Sequence, residues 1–214
     1  MRRKLASGED VHGLVIRAHV QTQGRGRQGK VWSSPAGGSY QTIGLRDSGT
    51  SRLRMPLVGL AIGAGLATTF KQAGAQVGLK WPNDLYYKGK KIGGILTEYL
   101  QQHLLVGIGL NVSNRPPEGG ASLTGWELGE VGEIVLEGYR LGLGMFYSGE
   151  DITALWSEYD VLAGQPVVIR YDSGVIRGTA RGICNDGRLK VEGAGGEYYA
   201  VGVGRLLSYN LKVG

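Results

Sequence analysis

Lys80-Trp81-Pro82-Asn83-Asp84-Leu85-Tyr86, followed by Lys91-Ile92-Gly93-Gly94, holds the densest chemistry in the sequence. Pro82 pushes Trp81 out of helical space, so residues 81–84 read as a turn. The apolar run at 76–80 reads as a short strand. Residues 86–92 read as a hairpin turning at Lys88-Gly89. Two lysines therefore flank a polar turn between strands. An Asn-Asp pair at a strand end often only caps its own turn, and Trp81 reads equally as a core aromatic. Lys91, however, stands just before Gly93-Gly94, where missing side chains let a ligand approach the backbone.

Downstream, residues 92–100 and 103–112 read as adjacent strands. The second closes on Gly107-Ile108-Gly109-Leu110-Asn111. Strand alternation puts Gly107 and Gly109 on one face, leaving a slot beside the sheet. Asn111 donates and accepts at once, which suits a purine edge; a turn start beneath a packed helix suits it as well. Upstream lies Gly24-Arg25-Gly26-Arg27-Gln28-Gly29-Lys30. It matches G-x-G-x-x-G, but Pro35 closes off the helix that a dinucleotide fingerprint requires. No Gly-Lys-Ser/Thr follows, so it is not a P-loop. What remains is a flexible loop carrying Arg25, Arg27 and Lys30, suited to phosphate or carboxylate, or a solvated basic loop.

Around these motifs, residues 1–9 read as the tail of a helix ending at Gly8. Residues 13–20 read as a buried strand and 40–45 as another. Pro56 sits in the first turn of a long helix ending near Gly74. Residues 130–147 form a helix weakened by Gly132, Gly138, Gly142 and Gly144, and 152–159 a short one. From Gly164 the texture changes to short strands at 166–171, 175–180, 188–192 and 197–201. Turns at Asp172-Ser173-Gly174, Asn185-Asp186-Gly187 and 193–196 separate them, the pattern of a small all-β barrel. The boundary falls near Leu162–Gly164, giving a first domain at 1–162 and a second at 163–214.

At 214 residues the chain can bury a core without staples. Its one cysteine, Cys184, makes no internal disulfide, and a reducing cytoplasm is the simple reading. His12, His19 and His103 are scattered, which excludes a structural zinc site. No uncharged apolar run approaches a membrane span, and the basic start has no apolar region behind it. Lysine plus arginine exceed aspartate plus glutamate by 24 − 18 = 6, favouring anionic partners. Glycine stands at 39 of 214, well above the usual value near 7%.

Taken together, the three motifs in this order resemble the biotin protein ligases, over nearly the whole chain. The glycine/arginine loop is similar to that family's biotinyl-adenylate loop, residues 80–84 with 91–94 to its central signature, and 107–111 to its adenine-side strand. The barrel resembles its SH3-like C-terminal domain. The resemblance implies an α/β (α+β) fold with a mixed sheet flanked by helices. It also implies a two-step reaction. Biotin carboxylate attacks the α-phosphate of ATP, with Mg2+, to give biotinyl-5′-AMP; a lysine of a biotin carboxyl carrier domain then takes the biotinyl group.

By the same resemblance, Arg27 and Lys91 are catalytic. Gln21, Gly24, Arg25 and Gly26 would join them on the biotin side, with Gly93, Gly94, Gly107 and Gly109. The ATP side would add Lys30, Trp32 stacked near the adenine, Lys80, Asn83, Asp84 and Asn111, with Asp84 towards the magnesium. The family's Ser-Thr-Asn patch, which holds the biotin ring, is missing here, and the first residues align with the helix just after it. Met1 therefore reads as an internal methionine or the start of a truncated chain. Lys30 replaces the usual arginine. No DNA-binding helix-turn-helix precedes the ligase region, so no DNA partner is expected, and no membrane partner. A homodimer is compatible. The competing readings are a nucleotide- or RNA-binding module, a lipoyl or octanoyl transferase (the octanoyl branch using a cysteine nucleophile), and an inactive ligase relative.

Overall fold

The computed structural model describes residues 1–47, 51–171, 174–202 and 205–209, with side chains of 51–55, 171 and 205–208 outside the description. Strand β6 (His103–Asn111) organises it. Leu104, Val106, Ile108 and Leu110 alternate into the main core, while Leu105, Gly107, Gly109 and Asn111 face the other way. β6 lies central in a six-stranded sheet. Its neighbours are β2 (Gly38–Arg46) and β5 (Lys90–Leu100), flanked by β1 (Val15–Ala18) beyond β2, and by β4 (Asp84–Tyr87) then β3 (Val77–Lys80) beyond β5. Every strand pair in that sheet is antiparallel. The expected mixture of directions is met only at isolated bridges, His12 with Gly44, Leu79 with Asp160 and Lys91 with Gly120.

The turns are those the sequence calls for. Lys88 and Gly89 have φ of 49° and 72° between β4 and β5, the mirror-image turn that suits strand twist. Residues 13–20 depart from expectation. β1 sits at the sheet edge, half-buried, with Arg17 turned out to Gly132 O and Glu133. Its apolar run covers one side of the cavity described below rather than a core.

Helices α2 (Ser51–Gln72) and α3 (Leu128–Ser148) cover the core face, and α4 (Thr153–Tyr159) packs against α2 and β3. α2 begins earlier than expected, so Pro56 lies in its second turn rather than its first. Tyr139 of α3 is fully enclosed, and its hydroxyl donates to Gln41 O at 3.2 Å and Val106 O at 2.9 Å, tying α3 to β2 and β6. The interhelical glycines explain part of the glycine excess. A Cβ on Gly65 would come 2.5 Å from Gly138 O and 2.7 Å from Gly142 N, so the two backbones touch directly. Gly144, two residues beyond Gly142 and exposed, has nothing within 4 Å.

After α4 come β7 (Pro166–Tyr171), β8 (Gly174–Ile183), β9 (Leu189–Glu192), β10 (Tyr198–Val201) and β11 (Arg205–Tyr209), in the order β10-β9-β8-β7-β11. The first four match the sequence reading. β11 was not anticipated, because its partner β7 is far away in sequence and its own five residues carry no alternation. The expected turn at Asp172-Ser173 lies outside the described residues. The barrel is anchored on the sheet by Trp81 Nε1, which donates to Gly187 O at 3.0 Å, and the segment leading into it by Val161 N, which donates to Leu79 O at 2.9 Å.

Asp160, bridged to Leu79 at this junction, has a carboxyl pushed up to about 6 by burial, against weaker opposing pulls from Leu162 N–H and Trp156. A carboxyl raised in the folded state favours folding at low pH, and this contribution is lost as pH rises from about 4 through about 6. Unfolding free energy should therefore fall between pH 4.5 and 7.5, by on the order of 1–3 kcal/mol from this group. Urea titration of Asp160→Asn at both pH values should show that fall reduced; an undiminished fall refutes the assignment. The helix crossing makes a paired prediction. Gly142→Ala should cost about 1–3 kcal/mol by overpacking, whereas exposed Gly144→Ala should gain about 0.5–1 kcal/mol. Thermal melts of the two variants moving in the same direction would contradict the crossing geometry.

Candidate active site

A cavity of about 1340 Å³ opens on the sheet face opposite α2 and α3. Its floor is made of what is missing: Gly107 and Gly109 of β6 and Gly94 of β5 present backbone, flanked by Leu96 and Thr42. α1 (Arg2–Ala6) forms part of one wall, through Met1 to Lys4, and Arg2 is ion-paired with Glu98.

The glycine/arginine segment is the opposite wall, and it is not an open flexible loop. Gln21 N donates to Ser34 O at 3.1 Å, Trp32 N to Gly24 O at 3.0 Å and Gly26 N to Lys30 O at 2.7 Å, closing a hairpin around a short 3-10 turn at Arg27–Gly29. Gln28 and Gly29, with φ of 55° and 72°, turn its tip. Arg25, Gly26, Arg27, Lys30, Trp32 and Gln21 line the cavity as expected. Gly24 does not. A Cβ there would lie 2.6 Å from Ser34 Oγ, so this glycine serves the hairpin's closure. Trp32 lies on the floor: a Cβ on Gly109 would come 2.6 Å from its Nε1, which is buried without a hydrogen-bond partner.

The 80–84 turn delivers the charges. The Trp81–Pro82 peptide bond is cis, and Asp84 sits between two ammonium groups, Lys80 Nζ at 3.2 Å and Lys91 Nζ at 2.5 Å. Lys91 also lies 5.6 Å from the Trp32 ring centroid. Arg27 Nη1 donates to Asn83 Oδ1 at 3.2 Å, and Asn83 Nδ2 to Ile95 O at 2.9 Å, so the hairpin is latched to the turn. Burial lowers the Arg27 guanidinium's pKa, with Asp84 opposing; it stays charged at any ordinary pH. Two lysines thus contact one carboxylate, with Arg27 held on the neighbouring Asn83.

Three other candidate residues have structural partners of their own. Gly93 does not line the cavity; a Cβ there would run into Gly109 O and Leu110, so it is small to let β5 approach β6. Asn111 borders the cavity and is 1% exposed, donating to Ala121 O at 3.3 Å and accepting from Asn114 Nδ2 at 2.9 Å. These bonds pin the 111–123 connection beside the cavity. Asp84 meets a lysine at each oxygen, and among the described residues no group of three His, Cys, Asp or Glu could hold a metal by itself. The sequence reading missed Tyr209, whose hydroxyl reaches Tyr86 at 2.9 Å and Lys80 at 3.3 Å from the barrel's β11. Nothing local in the sequence marks it.

Fold and site together define a two-part α/β protein with a glycine-floored, cation-lined cavity suited to an extended anionic ligand. Residues 3–113 match the model of the Biotin/lipoate A/B protein ligase family, and 163–203 that of the Biotin protein ligase C terminal domain. The chain belongs to the biotin/lipoate A/B protein ligase family. It is 31% identical to the biotin--[acetyl-CoA-carboxylase] ligase of Paracoccus denitrificans, over 90% of this chain and 89% of that one. Against the biotin--[acetyl-CoA-carboxylase] ligase of Mycobacterium tuberculosis it is 37% identical over 54% of this chain and 45% of that one. The chain thus spans less than half of the Mycobacterium relative, and 64% of the Bacillus subtilis bifunctional ligase/repressor BirA. The biotin protein ligase of Aquifex aeolicus, solved in complex with biotin and ATP, superposes with a TM-score of 0.78 at 26% identity, covering 98% of this chain and 94% of that one. Among the described residues no helix is long and apolar enough to cross a membrane.

The floor makes a direct prediction. Gly109→Ala should lift Trp32 and loosen the hairpin, so that trypsin cuts after Arg25, Arg27 and Lys30 several-fold faster. Gly107→Ala, whose Cβ would meet Thr42 Oγ1 at an ordinary 3.5 Å, should leave cleavage unchanged. Equal cleavage in both variants would mean that Trp32 does not hold the hairpin.

Proposed function

We propose that this protein is an ATP-dependent biotin protein ligase. It activates biotin as biotinyl-5′-AMP and passes the biotinyl group to a lysine of a biotin carboxyl carrier domain. The observation that carries the reading is the Lys80–Asp84–Lys91 cluster, with Arg27 latched beside it, over a floor of glycines. In the first step a biotin carboxylate oxygen attacks the α-phosphorus, a P–O bond forms, the bond to the β-phosphate breaks and pyrophosphate leaves. Two anions must meet, so cations have to neutralise charge as it builds on the phosphoryl oxygens. Lys91 and Arg27 do this, with Arg25 and Lys30 on the hairpin above. In the second step the carrier lysine attacks the anhydride carbonyl and AMP departs.

Biotin then lies over Gly94, Gly107 and Gly109, beside Gln21, and the adenylate lies towards Trp32, which moves to admit it. Lys80 and Asn83 set the turn that carries the phosphate cations. Magnesium enters with the triphosphate as part of the substrate, in keeping with an ion that keeps its waters and binds chiefly through phosphates. We take the division at 162/163 as that between the ligase domain and its barrel, and a homodimer along the edge strand β1 as part of the same reading. The octanoyl-transferase alternative loses support, because Cys184 stands in a barrel turn and does not line the cavity.

The test is incubation of the chain with biotin, ATP and magnesium, reading biotinyl-AMP by mass spectrometry against a control without biotin. Formation of the intermediate is expected, and its absence refutes the proposal. Arg27→Ala should release the intermediate faster than the parent chain, as the hairpin's latch to Asn83 is lost; an unchanged off-rate would exclude Arg27 as the latch.

A further inference from the structure

Tyr209 is, among the described residues, the one barrel side chain that lines the cavity. It arrives from β11, whose pairing with β7 brings it against the 80–84 turn. Its ring centroid is 4.3 Å from Lys80 Nζ, close enough for a cation–π contact, and the Tyr86 ring faces the same ammonium at 5.3 Å. Its hydroxyl accepts from Lys80 Nζ at 3.3 Å and lies 2.9 Å from the Tyr86 hydroxyl. Lys80 is thereby boxed in, with its side chain 11% exposed and its free end on one oxygen of Asp84.

We propose that Tyr209 is a positioning residue for the adenylation step: it holds Lys80 on Asp84, and so leaves Lys91 its charge for the substrate. The argument is electrostatic. Asp84 carries one negative charge and two lysines contact it. With Lys80 held in place, that charge is already met, and the cluster is left with one net positive charge facing the cavity. With Lys80 free to swing away, the carboxylate is met by Lys91 alone, and the pair is neutral towards an incoming phosphate. A long lysine stem does not stay in one geometry unless something packs on it, and two aromatic rings do so here.

The phenols bear the mark of this arrangement. Burial raises Tyr86 well above the usual tyrosine value, with Tyr209 adding to the rise. Burial would raise Tyr209 too, but the Tyr86 hydroxyl and the Lys80 ammonium outweigh it and hold Tyr209 below that value. Either hydroxyl can be the donor in the 2.9 Å Tyr86–Tyr209 bond, while the Tyr209 oxygen accepts from Lys80 Nζ.

This inference rests on the ligase reading, and a double-mutant cycle separates the two. Adenylate formation is followed by pyrophosphate release in the parent chain, Tyr209→Leu, Lys80→Met and the double variant. Melting temperature and biotin affinity are measured on each. Tyr209→Leu should lower kcat for adenylation about tenfold in the parent, and less than twofold in the Lys80→Met background, since coupled contacts are not additive. Biotin affinity should be unchanged, which a merely structural loss would not allow. Equal effects in the two backgrounds, or a parental rate in Tyr209→Leu, overturn the proposal while leaving the ligase reading intact. No biotinyl-AMP from the parent chain overturns both. If the leucine variant does not fold, Tyr209→Phe takes its place, with the same non-additivity expected at about two- to threefold.

Discussion

The β6 ladder has to serve two surfaces at once, and the rest of the structure follows from how it does so. Every second residue is a large aliphatic that meets α2 and α3; the intervening ones shrink to glycine where the cavity needs room. A strand reverses face at every residue, so this division costs no extra chain. It does fix register absolutely. A slip of one residue would put leucine on the cavity floor and glycine in the core. The neighbours enforce the register from both sides, through nine paired residues with β2 and eight with β5. Lys91 and Asp84 meet because β4 and β5 hang on that ladder, not because they are near in sequence alone.

Much of this could be read from the chain before any coordinates. The strands at 40–45, 76–80, 92–100 and 103–112, the helices at 130–147 and 152–159, and the turn at Lys88-Gly89 all follow from period and turn chemistry, and the structure contains them. The cavity-lining glycines at 107 and 109 came from simple alternation. Local pattern failed where a partner distant in sequence decides the matter. Gly24 and Gly93 look like ligand-facing glycines in a motif, but each is small because another part of the protein presses on it. The bonds of Asn111 to Ala121 and Asn114 likewise come from a connection that the motif does not show. Tyr209 has no signal at all, since only the folding of the barrel brings it to Lys80.

The barrel grips the 80–84 turn at two points, Trp81 through Gly187 and Lys80 through Tyr209. These neighbouring residues point in different directions, one into the packed interior and one to the cavity. The second part of the chain is thus built into the wall of the site. Its position also explains why a short turn between strands can hold two lysines and a carboxylate in a fixed relation, although lysine stems order poorly by themselves.

The wall formed by α1 is of another kind. Its helix has five residues, and beneath it Leu5, Val11 and Leu105 make a small cluster apart from the main core. A helix that short is below the length at which propagation repays nucleation, so it rests on those few contacts and on the Arg2–Glu98 pair. Residues 10–14 are tied to the sheet, Gly13 N donating to Gly44 O at 2.8 Å and Gly44 N to Leu14 O at 3.0 Å, so the short helix is the less supported part of this wall. The cavity therefore has one stiff side, pinned by the ladder, and one compliant side. Length alone sets the two walls apart, since one rests on a ladder of seventeen residue pairs and the other on a single helical turn.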